Sequence, residues 1–429
     1  MSQVIATALI MMLMWSLKQF EWLEELGGPL TPSTMTVGFI LLIAYMAGKL
    51  ASRYRLPKIT GYMIVGVVVG PYVLDLVSHE MTEQLQLING LALSLIAITA
   101  GGELKIDELK PLWKSVLAIT FMFILVLWIV FIAFAFAAYP WMPFLEDPSW
   151  RSILVVGMIL GTLAAASSPA VAMAIINECE AKGVVTKCLL CVTVLKDIFV
   201  ITLFSIVVTF GKALIKPDTP LDLNFLAMVS FEIVLSIGVG VLLGLLISLY
   251  LHVVNRENTL FLLFVCFLSA KLSIHFHLEP ALVALSAGFF MENTTPERGY
   301  RLVHAIERGS LPVYTLFFCL TGAVIDLEAL KSMWILALVV VALRLAALYG
   351  ATYAGTRIGK GPDGMKQFGW LGFVAQAGVS LGLAAMLLRG FPEWGAGLQT
   401  LLIAVIGINL LIGPIGTRWA LIRSGEAKI

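Results

Sequence analysis

Apolar runs of about twenty residues recur along nearly the whole chain, and that is the length a helix needs to cross the hydrocarbon core of a bilayer. In lipid every backbone N–H and C=O must find its partner within the chain, so runs of this kind fold as helices. Composition agrees. Of the 429 residues, 60% are hydrophobic and 13% are charged, about half the charged share of a soluble protein. The net charge of +1 offers no basic or acidic surplus for nucleic acid.

Dividing the chain wherever charge, Pro or Gly interrupts an apolar run predicts fourteen helices. They lie near 2–18, 34–53, 58–76, 83–103, 109–138, 150–178, 184–211, 222–253, 258–274, 279–293, 302–325, 331–358, 366–389 and 397–423. The first has no basic segment before it and reads as a retained helix rather than a cleaved signal. With this division, 18 of the 28 Lys and Arg fall in alternate loops and the tail, against 6 in the other loops. That asymmetry places both termini in the cytoplasm. No loop is long enough to hold a separate domain, so no cytoplasmic nucleotide-binding domain is expected.

Ionisable groups at membrane depth cost several kcal/mol each and are functional candidates by default. Lys49 and Lys271 lie near span ends and can snorkel. Lys196 and Asp197 instead fall in the middle of the seventh span, and Arg344 in the middle of the twelfth. An Asp with one or two cations is an economical way to bury such charges. Glu232 lies about one third into its span, as a relay carboxylate or as a charge facing a cavity. The histidines flank spans, and Cys188 and Cys191 open an apolar helix, which favours packing over metal or redox chemistry. With no nucleophile–base pair, metal cluster or phosphate loop, an enzyme is not expected, nor a cofactor.

Two spans look interrupted. The sixth contains Thr162, then Ala164-Ala165-Ala166-Ser167-Ser168-Pro169, where small and hydroxyl residues before a proline break a helix. The thirteenth contains Ala375-Gln376-Ala377-Gly378-Val379-Ser380-Leu381-Gly382. The two run in opposite directions, as an inverted repeat predicts. Spans two to seven (about 34–211) would then mirror nine to fourteen (about 258–423), with 222–253 as connector.

The ordered motifs resemble the monovalent cation/proton antiporter superfamily, in its bacterial branch of sodium/proton and potassium/proton exchangers. Leu56-Pro57 through Gly61, Gly66 and Gly70-Pro71 resemble its opening segment. Ser167-Ser168-Pro169, Glu180-Ala181-Lys182-Gly183 and Val194-Leu195-Lys196-Asp197 resemble its broken helix and ion-site helix. Phe317-Phe318 with Gly322 and Asp326, and Gly413-Pro414 with Thr417-Arg418, resemble later motifs. The resemblance implies an all-α fold of about fourteen helices, with inverted repeats and two broken helices crossing near the midplane. It implies a homodimer whose core domain (about 109–211 and 331–423) moves against a dimer domain formed by the remainder. Residues 1–33, the extra helix and its loop, resemble those of the fourteen-helix members. It also implies that Asp197 binds the transported ion transiently and exchanges it for a proton, with Ser167 and Ser168 at the helix break beside it and Arg344 as a supporting charge. The chain departs from the family at Lys196, where Asp, Asn or Gln is usual, and at Val379, where Glu is common.

Three readings follow. In the first, the chain exchanges a monovalent cation, sodium before potassium, for protons across the membrane by alternating access. Asp197 is the shared carrier and Lys196 an internal cation that pairs with it. In the second, the same fold carries an anion or organic acid with protons, because Lys196 and Arg344 outnumber Asp197. In the third, the chain is a non-transporting sensor or partner subunit.

Overall fold

The computed structural model describes residues 11–12, 31–145, 148–215, 223–254, 258–276 and 278–427. The first expected span, 2–18, lies almost wholly outside these residues. Among the described residues every regular element is a helix, and each later expected span has a helical counterpart. Among the described residues, seven helical stretches are long and apolar enough to cross a bilayer, and four shorter apolar helices accompany them.

The described residues form two compact units, one of residues up to 103 with 236–325, the other of 104–235 with 326–427. The first contains α1 (Thr31–Arg53), α2 (Lys58–Val69), α3 (His79–Gln84) and α4 (Gln86–Gly102). The second begins with α5 (Ile106–Leu109), α6 (Trp113–Ala138), α7 (Trp150–Ala165), α8 (Pro169–Glu178) and α9 (Val184–Ile215). Helix α10 (Leu223–Val253) starts in the second unit and ends in the first, which continues with α11 (Asn258–Phe276), α12 (Pro280–Thr294) and α13 (Pro296–Ala323). The second unit resumes with α14 (Leu327–Gly359), α15 (Asp363–Phe368), a 3-10 turn (Gly369–Phe373), α16 (Gly378–Ala385), α17 (Leu387–Gly390) and α18 (Gly395–Arg423).

Helix α2 ends at Val69 rather than near 76 because Pro71 follows Gly70. A residue before proline is driven out of the helical region, and Gly70 is extended (φ −67°, ψ 175°). In the first unit, α4 and α12 meet backbone to backbone. A side chain at Gly101 would strike the Leu285 carbonyl, and one at Gly288 the Ile98 carbonyl.

Helix α6 shows why the second unit belongs in lipid. Its inner face repeats every four residues as Ile119, Phe123, Leu127, Phe131 and Ala135, all buried. Its outer face repeats as Leu117, Phe121, Leu125 and Ile129, all exposed. A helix apolar on every side but buried on one has hydrocarbon against the other.

Candidate functional site

Both expected interruptions are present, and both lie in the second unit. The first separates α7 from α8 at Ala166, Ser167 and Ser168. Pro169 occupies the first helical turn of α8, where its missing N–H costs nothing, and the Ser168 hydroxyl caps that helix by accepting from the Val171 N–H at 3.2 Å. The second leaves 374–377 without helix between the 3-10 turn and α16. The segments are joined directly: the Ser168 N–H donates to the Ala375 carbonyl at 2.8 Å. Gly413 on α18 admits that crossing, since a side chain there would collide with Ala375.

Breaking a helix frees carbonyls that lipid cannot satisfy. Arg344, fully buried on α14, satisfies those of both breaks. Its Nε donates to the Ala164 carbonyl at 2.8 Å and its Nη2 to Ala166 at 2.9 Å, both at the end of α7. Its Nη1 donates to Val374 at 2.8 Å and its Nη2 also to Phe373 at 3.1 Å, at the edge of the second break. The planar fork of a guanidinium suits such a two-sided task. Gln376 adds a second staple, donating from Nε2 to the Leu163 carbonyl at 2.7 Å, and Asn409 of α18 donates to Gln376 Oε1 at 2.9 Å.

Lys196 and Asp197 are buried on α9. The Lys196 ammonium lies over two aromatic rings, 4.3 Å from the Phe123 centroid and 4.6 Å from the Phe373 centroid. Those rings meet edge to face at 4.9 Å and 77°. Among the described residues Lys196 Nζ has no hydrogen-bond partner. The Lys196 ammonium thus rests on the two rings, with Asp197 the next residue along α9.

The start of α9 is held by a residue that sequence reasoning missed. Glu426 accepts from the Val185 N–H at 2.8 Å, the Thr186 N–H at 2.7 Å and the Thr186 hydroxyl at 2.8 Å. Its own carbonyl accepts from the Lys182 backbone N–H at 2.9 Å. A carboxylate at a helix N-terminus satisfies orphan donors and complements the dipole. Lys187, one turn on, pairs with Glu108 of α5.

The other expected site residues divide. Ser167 Oγ is buried with no hydrogen-bond partner among the described residues, an acceptor left over at the first break. Thr162 is committed: its hydroxyl donates to the Met158 carbonyl at 2.7 Å and accepts from Trp128 Nε1 at 2.9 Å. Glu232 is half-buried on α10. Cys188 and Cys191 are buried and unbridged. Asn409 had a legible signal, a lone amide within the apolar run Gly407-Ile408-Asn409-Leu410.

Two interrupted helices crossing inside an all-helical unit, with a buried carboxylate on another helix of that unit, match the pattern of membrane folds built from inverted repeats with broken helices. The chain belongs to the sodium/hydrogen exchanger family, whose transmembrane model matches residues 38–423. A probable Na(+)/H(+) antiporter 3 of Methanocaldococcus jannaschii is 24% identical over 174 residues, 40% of this chain and 41% of that protein. The Na(+)/H(+)-K(+) antiporter GerN of Bacillus cereus is 35% identical over 83 residues, 19% of this chain and 21% of that one. The matched stretches thus span well under half of either relative. The fold resembles the structure of the sodium proton antiporter MjNhaP1 from Methanocaldococcus jannaschii at pH 8, with a TM-score of 0.63 and 17% identity over 91% of this chain and 95% of that one. An electron-microscopy structure of the same antiporter gives a TM-score of 0.68 and 18% identity over 92% and 98%.

Proposed function

We propose that this chain exchanges a monovalent cation, sodium before potassium, for protons, and that the transported cation binds transiently at Asp197. The observation that carries this is a carboxylate buried in an apolar helix whose neighbouring side chain, Lys196, packs on Phe373 at the second break. A buried acid in a membrane helix is retained for ion or proton movement. Ser167, with its unused hydroxyl at the first break, supplies a neutral oxygen of the kind a sodium ion takes, and Ser168 stands next to it.

Exchange needs only that a cation and a proton exclude one another at the Lys196–Asp197 pair, with the site open to one side at a time. Residues of about 109–211 and 331–423 are the part that moves, and the remainder holds a homodimer in the inner membrane with both termini cytoplasmic. The names of the two antiporter relatives support sodium as the first ion to test and potassium as the second.

The test is dissipation of a pH gradient in proteoliposomes on adding Na⁺, K⁺ or Li⁺. Wild type is expected to respond to at least one cation, and Asp197→Asn to none while remaining folded. Exchange surviving in Asp197→Asn overturns the role of the carboxylate. A folded wild type indifferent to all three cations overturns the exchange reading and returns the anion or sensor reading.

A further inference from the structure

Lys196 places a second monovalent cation, its own ammonium, one residue from the carboxylate that the transported cation needs. The two side chains leave α9 about 100° apart, but the four-carbon stem of lysine is flexible enough to swing the charge. What occupies the ammonium is the pair of rings, since Nζ is fully buried and has no hydrogen-bond partner among the described residues. Such a charge needs a compensating partner when it is out of water, and an aromatic face is one. The rings come from different elements, Phe123 from α6 and Phe373 from the turn that leads into the second break.

We propose that Phe123 and Phe373 are positioning residues for cation binding: their rings hold the Lys196 ammonium away from Asp197 and thereby set the affinity of that carboxylate for the transported cation. The proposal rests on the exchange reading above. With a ring removed, the ammonium turns toward the nearest opposite charge and competes with the ion as a tethered cation. Phe373 also offers its carbonyl to Arg344 at 3.1 Å, so the cage is complete only when the second break holds this arrangement. The resting place of Lys196 is thereby coupled to the conformation of the transport core.

The experiment measures KM and turnover in proteoliposomes, for whichever of Na⁺, K⁺ and Li⁺ wild type transports fastest. The variants are Phe123→Leu, Phe123→Met and Phe373→Leu, each alone and combined with Lys196→Gln, alongside Phe123→Tyr and Phe373→Tyr. Loss of one desolvated ring is expected to raise the cation KM about tenfold, with turnover at saturating cation retained. The tyrosine variants, which keep a ring face, stay near wild type. In the Lys196→Gln background the same ring losses leave KM unchanged, because the group they restrain is gone. An equal rise in KM with and without Lys196 would mean that the rings act by packing alone, and the proposal falls. So it does if no ring loss moves KM. A wild type without cation-driven proton movement fails earlier and differently, taking the exchange reading down first.

Discussion

Replacing Arg344 with Met removes a guanidinium of nearly matching length and leaves four carbonyls, those of Ala164, Ala166, Phe373 and Val374, without their donor. Side-chain hydrogen bonds within membrane proteins average about 0.6 kcal/mol and reach about 1.7 kcal/mol. Four of them, at 2.8–3.1 Å, therefore contribute about 2–7 kcal/mol, a large share of a stability of about 5–15 kcal/mol. At about 2–4 °C per kcal/mol for a large domain, the midpoint of thermal unfolding in detergent, followed by tryptophan fluorescence, should fall by about 5–25 °C. Arg344→Lys should recover less than half of the loss, because one ammonium cannot reach carbonyls on both sides of the fork. A double variant separates carbonyl stapling from charge neutralisation. If Arg344 chiefly balanced Asp197, then Arg344→Met with Asp197→Asn would regain the lost stability. If it staples the breaks, the double variant stays as unstable as Arg344→Met. A midpoint within about 2 °C of wild type for Arg344→Met, or rescue by Asp197→Asn, refutes the stapling argument.

Four further outcomes follow from the same contacts. Gly413→Val drives a branched side chain into Ala375, and overpacking of this kind costs about 1–3 kcal/mol; cation-driven proton flux should fall with the melting midpoint, and undiminished flux would show that the crossing tolerates displacement. Glu426→Ala removes the acceptor of three donors at the start of α9, an N-terminal cap worth about 1–2 kcal/mol, with Glu426→Gln intermediate in the same thermal assay. Ser167→Ala deletes a buried hydroxyl that bonds nothing among the described residues, so stability should be unchanged or higher while the cation KM rises; an unchanged KM removes Ser167 from the ion site. Asp107 is held below its ordinary pKa by its hydrogen bond to Lys110. A depressed carboxylate stabilises only above its unfolded pKa and loses that effect on acidification, but this pair is exposed, so Asp107→Asn should leave the melting midpoint unmoved at neutral pH and in acid alike.

The helices and their interruptions were legible in the sequence because each follows from a local rule. Pro169 after two serines forces a break; the end of α2 at Gly70 was missed, because hydropathy alone carries that span on to 76. The partners across the breaks were not legible. Arg344 could be marked as a buried charge, but its carbonyl partners lie about 180 residues earlier and 30 later, and a carbonyl carries no sequence signature. Phe123 and Phe373 looked like any other apolar residue in an apolar run. Glu426 stands in the tail segment Ser424-Gly425-Glu426-Ala427, where a lone acid reads as solvated. Lys196 and Asp197 stood out together as adjacent charges in an apolar run, but the rings under the ammonium carried no signal there.

The charge count that favoured an anion also changes once the breaks are drawn as helix ends. Counted as side chains, Lys196 and Arg344 exceed Asp197 by one. Yet the Arg344 donors all reach carbonyls at the C-terminal end of a helical segment that runs into an interruption, and such an end carries about half a negative charge in a full helix. Two ends converge on one guanidinium, so most of its charge is balanced before Asp197 is considered. Lys196 is then the remaining positive side chain of the three, and its ammonium lies over the rings of Phe123 and Phe373. The positive N-terminal ends of α8 and α16 remain, each beginning just beyond a break. On the exchange reading proposed above, such positive ends oppose a bound cation without forbidding it, so that the ion leaves as readily as it enters.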